Sequence, residues 1–177
     1  MPDFIPDFNK VIQFTDSIEF TGCEIGQKEA AYATGNSFLQ LVTFMGCSPH
    51  ARFEPAGPDD DDYCYIRFLR FEKARLLASD NSRTPGCSHC RKPAFADWSA
   101  LADAGASPLV CQHCGAGLSL AELRWRPDAG MARFFIEINS IFPGEAQPVD
   151  SFMTRLGEAT GTPWRYFYLL KQGTRGA

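Results

Sequence analysis

The sequence predicts an α+β domain with a mainly antiparallel sheet, one or two helices and a small cysteine-rich unit inserted into the chain. Several segments alternate apolar and polar residues, as strands do, whereas a clear helical period occurs only after residue 150. Strand patterns stand on both sides of residues 84–128. We therefore predict a body made of residues 1–83 and 129–177, with residues 84–128 as the insertion.

The first part of the body is predicted to consist mainly of strands. Residues 1–10 have neither a helical nor a strand period, and we expect an extended arm. Between residues 11 and 20 the apolar side chains fall on even positions, which favours a strand or a hairpin. Residues 28–34 fit a helical turn or a short strand equally well. Residues 37–45 fit either one face of a helix or a buried strand, and their short length and β-branched residues favour the strand. The aromatic residues 63–71 alternate as a strand.

The last part of the body combines a strand, a helix and a strand. Residues 131–142 alternate most clearly and end at a Pro-Gly pair. A helix is predicted to begin with Asp150 or Ser151 as its N-cap and to end at Gly161. Residues 164–170 are rich in aromatic side chains, which predicts a final strand.

The composition is that of an ordinary globular chain. Its 177 residues are 45% hydrophobic and 21% charged. The net charge of −4 and the pI of about 5.4 weigh against a large nucleic-acid footprint. No apolar run approaches the ~20 residues of a membrane span. The N-terminus has no signal-peptide pattern, so we expect a cytoplasmic protein without a membrane partner.

Two CxxC pairs carry the strongest chemical signal. Cys87 and Cys90 form the first pair, Cys111 and Cys114 form the second, and 20 residues separate the pairs. Each pair can direct two sulfur atoms toward one point, and together the pairs complete a tetrahedron. This spacing is typical of zinc sites. We predict one structural Zn²⁺ per chain, because four protein ligands leave no position for a reactive water molecule.

Three other interpretations of these cysteines stay open at this point. Iron would be held by the same four sulfur atoms. Two disulfides are disfavoured because no signal peptide precedes them, and a redox-active CxxC normally occurs as a single pair. His89 and His113 each directly precede a ligand cysteine. Since adjacent side chains point apart, we expect neither histidine to bind the metal.

Residues 84–128 resemble the zinc-ribbon and rubredoxin-like group. The resemblance rests on the four cysteines and on Gly115, which follows the second pair where the metal knuckle turns. Arg91 stands at the corresponding position of the first pair, where such knuckles often have glycine. The resemblance implies a small unit held by metal and implies no particular activity, because zinc ribbons occur in many unrelated proteins.

The first function hypothesis is a module for protein interaction or assembly. In this hypothesis the metal stabilises a unit that is too small for a sufficient core of its own. The closed metal site and the lack of a nucleotide-binding or catalytic-triad motif favour it. We expect a protein partner, and the sequence leans against enzymatic activity without deciding it.

The second hypothesis is an enzyme with its active site in the body. Cys47 and His50 are three positions apart in a loop after a predicted strand, where they would act as nucleophile and base or as metal ligands. Further candidates are Glu54, Glu137 and Glu145. The acidic run 59–62 lacks the spacing of a calcium loop, so a solvated loop is favoured there.

The third hypothesis is nucleic-acid binding through the ribbon. The acidity of the whole chain disfavours it. Two tryptophans in the segment, Trp98 and Trp125, would stack on bases. The cations that would contact phosphates are Arg83, Arg91, Lys92, Arg124 and Arg126.

Overall fold

Three helices and eight strands form within the residues that the computed structural model describes, which are 7–25, 29–45, 51–57, 60, 62–79, 82–96, 109–119, 122–126, 129–142 and 144–170. In chain order they are α1 (Phe8–Ser17), β1 (Thr21–Glu24), β2 (Ala31–Thr34), α2 (Phe38–Leu41), β3 (Val42–Phe44), β4 (Tyr65–Ala78), β5 (Leu109–Val110), β6 (Gly117–Leu118), β7 (Ala129–Ile138), β8 (Ala146–Pro148) and α3 (Asp150–Thr160).

The largest sheet has four strands in the order β1-β2-β4-β7. β2 pairs antiparallel with both β1 and β4, and Tyr32 lies opposite Ile66. β3 and β8 form a separate antiparallel pair, as do β5 and β6. The predicted α+β class with a mainly antiparallel sheet is confirmed.

The chain divides into two compact units. The body unit comprises residues 1–72 and 133–165, and the ribbon unit comprises residues 73–132 and 166–177. The four cysteines of the CxxC pairs belong to the ribbon unit, and strands β4 and β7 each contribute residues to both units. The insertion with boundaries at residues 84 and 128 stays a prediction.

Aromatic rings fill the core of the body unit. The ring of Phe20 lies 5.4 Å from that of Phe38 and 4.7 Å from that of Phe152. Phe8, on α1, lies 5.6 Å from Phe134 on β7. Burying one such side chain contributes about 1.5–3 kcal/mol. Phenylalanines therefore connect helix α1 to β7 and join helices α2 and α3 through Phe20, which directly precedes β1.

The strand or hairpin predicted for residues 11–20 is wrong, because residues 8–17 form helix α1. The Asp7 side chain caps the helix by accepting a hydrogen bond from the Asn9 N–H at 3.0 Å. Val11 and Thr15 lie one turn apart and are fully buried, and the Thr15 hydroxyl donates to the Val11 carbonyl. The segment therefore carried a helical period as well as the apolar residues at even positions that had favoured a strand. Packing of α1 against α3 selects it.

Other segments differ from the predictions in smaller ways. Residues 37–45 form α2 followed by β3, so the predicted buried strand occupies only the end of that segment. The change comes at the β-branched Val42, where the backbone becomes extended. Residues 31–34 adopt the strand alternative, and the strand predicted at 63–71 is found as β4, which continues to Ala78.

Helix α3 is found where it was predicted, but its N-cap is Val149 and no side chain caps it. Asp150 lies in the first turn, where its charge complements the helix dipole. Gly161 ends the helix with a left-handed φ of 67°. The strand predicted for residues 164–170 is wrong, because those residues belong to no strand. None of the described helices has the length and apolar character that a membrane crossing requires.

Candidate metal centre

Four cysteine side chains converge in the ribbon unit. The sulfur atoms of Cys87, Cys90, Cys111 and Cys114 all lie within 4.8 Å of one another. Two of the separations, Cys87 Sγ to Cys114 Sγ and Cys90 Sγ to Cys111 Sγ, are both 3.8 Å. A tetrahedral ion with metal–sulfur distances of about 2.3 Å has sulfur–sulfur edges of about 3.8 Å. The cluster therefore fits one tetrahedral metal ion, and these distances suit zinc and iron alike.

All four of these cysteines have free thiols. The 3.8 Å that separates each of those two pairs of sulfur atoms far exceeds the ~2.05 Å of a disulfide bond. The arrangement is that of a ligand set and not of two disulfides.

The first CxxC pair lies in a tight turn, which we call the first knuckle (residues 85–94). The Cys87 N–H donates to the Lys92 carbonyl at 2.8 Å, and the Arg91 N–H donates to the Cys87 carbonyl at 3.0 Å. Gly86 pairs with Pro93 across the base of the turn. These contacts hold both sulfur atoms on one side of the backbone.

The second knuckle (residues 109–118) repeats this construction 24 positions later in the sequence. The Cys111 N–H donates to the Ala116 carbonyl and the Gly115 N–H donates to the Cys111 carbonyl, both at 2.9 Å. Val110 pairs with Gly117, as Gly86 pairs with Pro93 in the first knuckle. The metal centre is therefore built from two copies of one local structure.

The residue after each CxxC pair has a left-handed backbone. Gly115 has a φ of 70° and Arg91 has a φ of 63°. For a residue with a side chain this conformation costs about 1–2 kcal/mol. Arg91 therefore departs from the glycine pattern in sequence but keeps the same turn, and its strain is offset by the contacts of the knuckle.

Backbone N–H groups and neighbouring sulfurs set the charge of the thiols. The His113 N–H donates to Cys111, which lowers the pKa of that thiol to about 7. The Ala116 N–H favours the thiolate of Cys114, but desolvation and the other three sulfur atoms outweigh it and raise its pKa to about 11. Four thiolates this close repel one another, so a bound cation favours their common ionisation.

The ligand cysteines are unequally exposed, and they contribute to a small apolar cluster. Cys87 is 0% exposed and Cys111 is 1% exposed, whereas Cys114 is open to solvent. The buried part of the cluster consists of these two buried cysteines with Ala94, Leu118 and Leu123. Both histidines of the CxxC pairs are exposed, and neither belongs to the four-sulfur group.

The candidates for an active site in the body are not brought together among the described residues. Cys47 and His50 lie outside those residues, so that hypothesis stays a prediction. Glu54 is exposed. Glu137 accepts a hydrogen bond from the Arg67 Nε at 2.9 Å, and Glu145 lies in the turn before β8. Apart from the four cysteines, the described part of the chain has no group of three or more potential metal ligands.

The described acids of the run 59–62 are bound by an arginine that the sequence analysis did not consider. The Arg52 guanidinium donates to both oxygens of Asp60, at 2.8 and 3.1 Å, and forms an ion pair with Asp62. Arg52 and the Ala56 N–H hold the pKa of the Asp60 carboxyl well below its usual range. Asp59 and Asp61 lie outside the described residues. In the sequence this pair appears only as an arginine eight positions before an aspartate, and that spacing is too common to indicate an ion pair.

All five cations that the sequence predicted to contact phosphates lie at the surface. They are Arg83, Arg91, Lys92, Arg124 and Arg126. Arg124 lies beside the first knuckle, since its N–H and carbonyl exchange hydrogen bonds with Gly86. Trp125 is half-buried against the cysteine cluster, and Trp98 lies outside the described residues.

No protein-family model matches the chain, and neither the curated proteins nor the solved structures contain a significant match to it.

Proposed function

We propose that the four-cysteine cluster binds one structural Zn²⁺ and that the protein is a protein-interaction or assembly module. The observation that carries the proposal is the set of four sulfur atoms within 4.8 Å of one another. They supply every corner of a tetrahedron and leave no open position for a substrate or a water molecule. Four free thiols also support a reducing compartment such as the cytoplasm.

The small size of the ribbon cluster supports a structural role for the ion. Its buried members other than the two cysteines are one alanine and two leucines. So little apolar surface contributes little to the free energy of folding. In such a unit the free energy of metal binding becomes free energy of folding.

Two exposed apolar side chains of the body unit support an interaction surface. Met45 is 66% exposed and Phe142 is 68% exposed. Their backbones are joined through Glu145, whose carbonyl accepts from the Met45 N–H and whose N–H donates to the Phe142 carbonyl. Single exposed apolar residues are ordinary, but two large ones on connected backbone suit contact with another protein.

Elemental analysis of the purified protein, combined with thermal melts, tests the metal. We expect one zinc per chain, a lower melting temperature with a chelator, and loss of the zinc in Cys87→Ser. Cys23→Ser is the matched control, because Cys23 is exposed and lies outside the cluster. A metal-free protein with an unchanged melt would disprove the structural role.

Cross-linking in cells followed by mass spectrometry tests the interaction surface. We expect a reproducible set of cross-linked proteins that Phe142→Ser loses. Leu39→Ser, which removes an apolar side chain that is 57% exposed on α2, serves as the control and retains the set. If the Phe142 variant cross-links to the same proteins, this surface does not bind them.

Nucleic-acid binding is a second candidate, favoured by the exposed cations around the first knuckle. The backbone of Arg124 exchanges two hydrogen bonds with Gly86. The Arg91 carbonyl oxygen is also close to Gly86, at 3.6 Å from the position that a Cβ on Gly86 would occupy. We expect Arg124→Glu to abolish binding to a single-stranded oligonucleotide. The affinity of the unaltered protein would fall as salt rises, because phosphate contacts release counterions. Binding that is insensitive to salt would eliminate this candidate.

A further inference from the structure

A groove of about 850 Å³ lies in the body unit beside the start of strand β2, where β4 continues beyond it. β2 pairs with β4 only at Ala31, Tyr32 and Ala33, whereas β4 is 14 residues long. The lining combines aromatic rings with cations, among them Phe8, Phe68, Phe71, Arg67, Arg70 and Arg133. The volume falls within the ~300–1,000 Å³ of small-molecule sites.

Arg133 is the residue of this groove whose hydrogen bonding is incomplete. Its side chain is partly buried, and its Nε is shielded from solvent without a hydrogen-bond partner. Within the described residues its guanidinium forms no ion pair. Arg67, in the same lining, is bound by the carboxylate of Glu137. A donor that is shielded from solvent without a hydrogen-bond partner is costly, so the Arg133 Nε–H in the wall of a groove favours a ligand with an acceptor atom.

We propose that this groove binds a small organic carboxylate, with the carboxylate opposite Arg133 and the apolar part against Leu69 and Phe71. A guanidinium presents a planar fork of N–H donors that matches the two oxygens of a carboxylate. Leu69 and Phe71, both half-buried in the lining, supply the apolar surface, whereas Phe68 is 3% exposed and packs in the core against Phe8 and Phe134. The site is distinct from the metal centre and does not depend on it.

The charges of the groove favour a single negative charge on the ligand. Arg67 is neutralised by Glu137, and the charges of the lining besides Arg133 are then the exposed cation Arg70 and two exposed acids, Glu29 and Glu72. These acids repel a polyanion such as an oligonucleotide or an oligophosphate. One carboxylate requires only the charge that Arg133 supplies.

A nuclear magnetic resonance titration of the full chain tests the proposal with 4-phenylbutyrate as the probe. 4-Phenylbutanamide is the matched neutral compound, and inorganic phosphate is the anion without an apolar part. We expect the carboxylate to shift the amide signals of Phe68 and Arg133 and to bind at least about tenfold more tightly than either control. Arg133→Met should weaken its binding about tenfold or more, and Arg165→Met, at an exposed residue outside the lining, should leave it unchanged.

Thermal melts separate a binding role of Arg133 from a structural one. Without a ligand, Arg133→Met should raise the melting temperature because it removes the shielded Nε–H that lacks a hydrogen-bond partner. With the probe, the melt of the unaltered protein should rise and that of the variant should not. If Arg133→Met fails to fold, Arg133→Lys keeps the charge without the fork and should still bind more weakly.

The proposal is overturned if the acid and the amide bind equally, if phosphate binds as tightly as the acid, or if Arg133→Met binds the acid as well as the unaltered protein does. Absence of any shift at about 10 mM probe would also overturn it.

Discussion

The body unit and the ribbon unit are stabilised by different means. The largest fully buried side chains of the body unit are Phe20, Phe38, Ile66 and Leu156. Among the described residues the buried cluster of the ribbon unit holds nothing larger than leucine, with Phe95 and Trp125 only partly buried against it, and two of its members are Cys87 and Cys111 of the four-sulfur group. We propose that a metal ion bound to these sulfur atoms takes the place of a larger core. The two units should therefore fail under different perturbations.

Removal of the metal should have the largest effect, and this effect should be confined to the ribbon unit. Structural zinc contributes apparent binding free energies of about 10–16 kcal/mol in small peptides. After chelation, or in Cys111→Ser, we expect the amide signals of residues 85–94 and 109–118 to lose their dispersion. Those of Phe20 and Phe152 should persist. If the amide signals of the ribbon unit keep their dispersion after a verified loss of metal, that unit does not depend on metal for its fold. This result would contradict the proposed difference between the two units.

Phe20→Ala should produce the converse result. Phe20 is 0% exposed and contacts the rings of Phe38 and Phe152, so the variant should lose about 3–5 kcal/mol of unfolding free energy. Its zinc content should not change. Chemical denaturation with parallel elemental analysis measures both quantities. Leu39→Ala, at an exposed position, is the control, and loss of zinc in the Phe20 variant would show that the units are not independent.

Gly35→Ala tests a close backbone contact in the body unit. A Cβ at position 35 would lie 2.1 Å from the carbonyl oxygen of Glu19, and the Gly35 N–H donates to the Phe20 carbonyl. We expect a loss of about 2–4 kcal/mol, measured by denaturation. Gly57→Ala is the matched control, because a Cβ there meets nothing within 4 Å. Equal stability of the two variants would show that the contact at Gly35 relaxes freely.

The two knuckles offer a smaller and reciprocal test inside the ribbon unit. Gly115→Ala should destabilise it by about 1 kcal/mol, since φ is positive there although a Cβ would meet nothing within 4 Å. Arg91→Gly should be neutral or stabilising by up to about 1 kcal/mol, because relief of strain exceeds the entropy cost of glycine. Competition for zinc with a calibrated chelator measures both. If both variants changed the zinc affinity in the same direction, the left-handed turns of the two knuckles would not be equivalent.

The smallest expected effect concerns a buried thiol of the body unit. Burial raises the pKa of Cys64 to about 12 from 9.0. Cys64 should therefore resist iodoacetamide in the folded protein, whereas the exposed Cys23 reacts. Because the folded pKa is the higher one, the contribution of Cys64 to stability is complete below pH 9 and declines as the pH rises toward 12. Comparison with Cys64→Ala detects this decline, and rapid labelling of Cys64 would refute its burial.

The cluster of four cysteines and the main strands were predictable because their patterns are local. The spacing of Cys87, Cys90, Cys111 and Cys114 identified the sulfur cluster without any knowledge of the body. The strand β7 and the helix α3 have uninterrupted periods. The left-handed turn at Arg91 was not predictable, since only its equivalence to Gly115 in space reveals it.

The predictions were wrong where a strand period and a helical period coincide in one segment, or where contacts between distant residues determine the conformation. In α1 the same residues satisfy a period of two and a helical period, and Asp7 as N-cap was the signal that was overlooked. Residues 164–170 have strand-forming side chains but do not form a strand. The ring of Trp164 contacts Phe134, and its indole N–H donates to the Thr160 hydroxyl. Pairings between residues distant in sequence, such as Arg67 with Glu137, leave no local pattern.

The unequal exposure of the four cysteines has a kinetic consequence for the metal ion that we propose they bind. A competing chelator reaches the exposed Cys114 before it reaches Cys87 or Cys111, which are almost fully buried. Ligand substitution therefore begins at the second knuckle, and its first step requires no opening of the apolar cluster. The later steps require that opening, so the exchange half-life of the ion is governed by local unfolding and not by the strength of the sulfur–metal bonds alone.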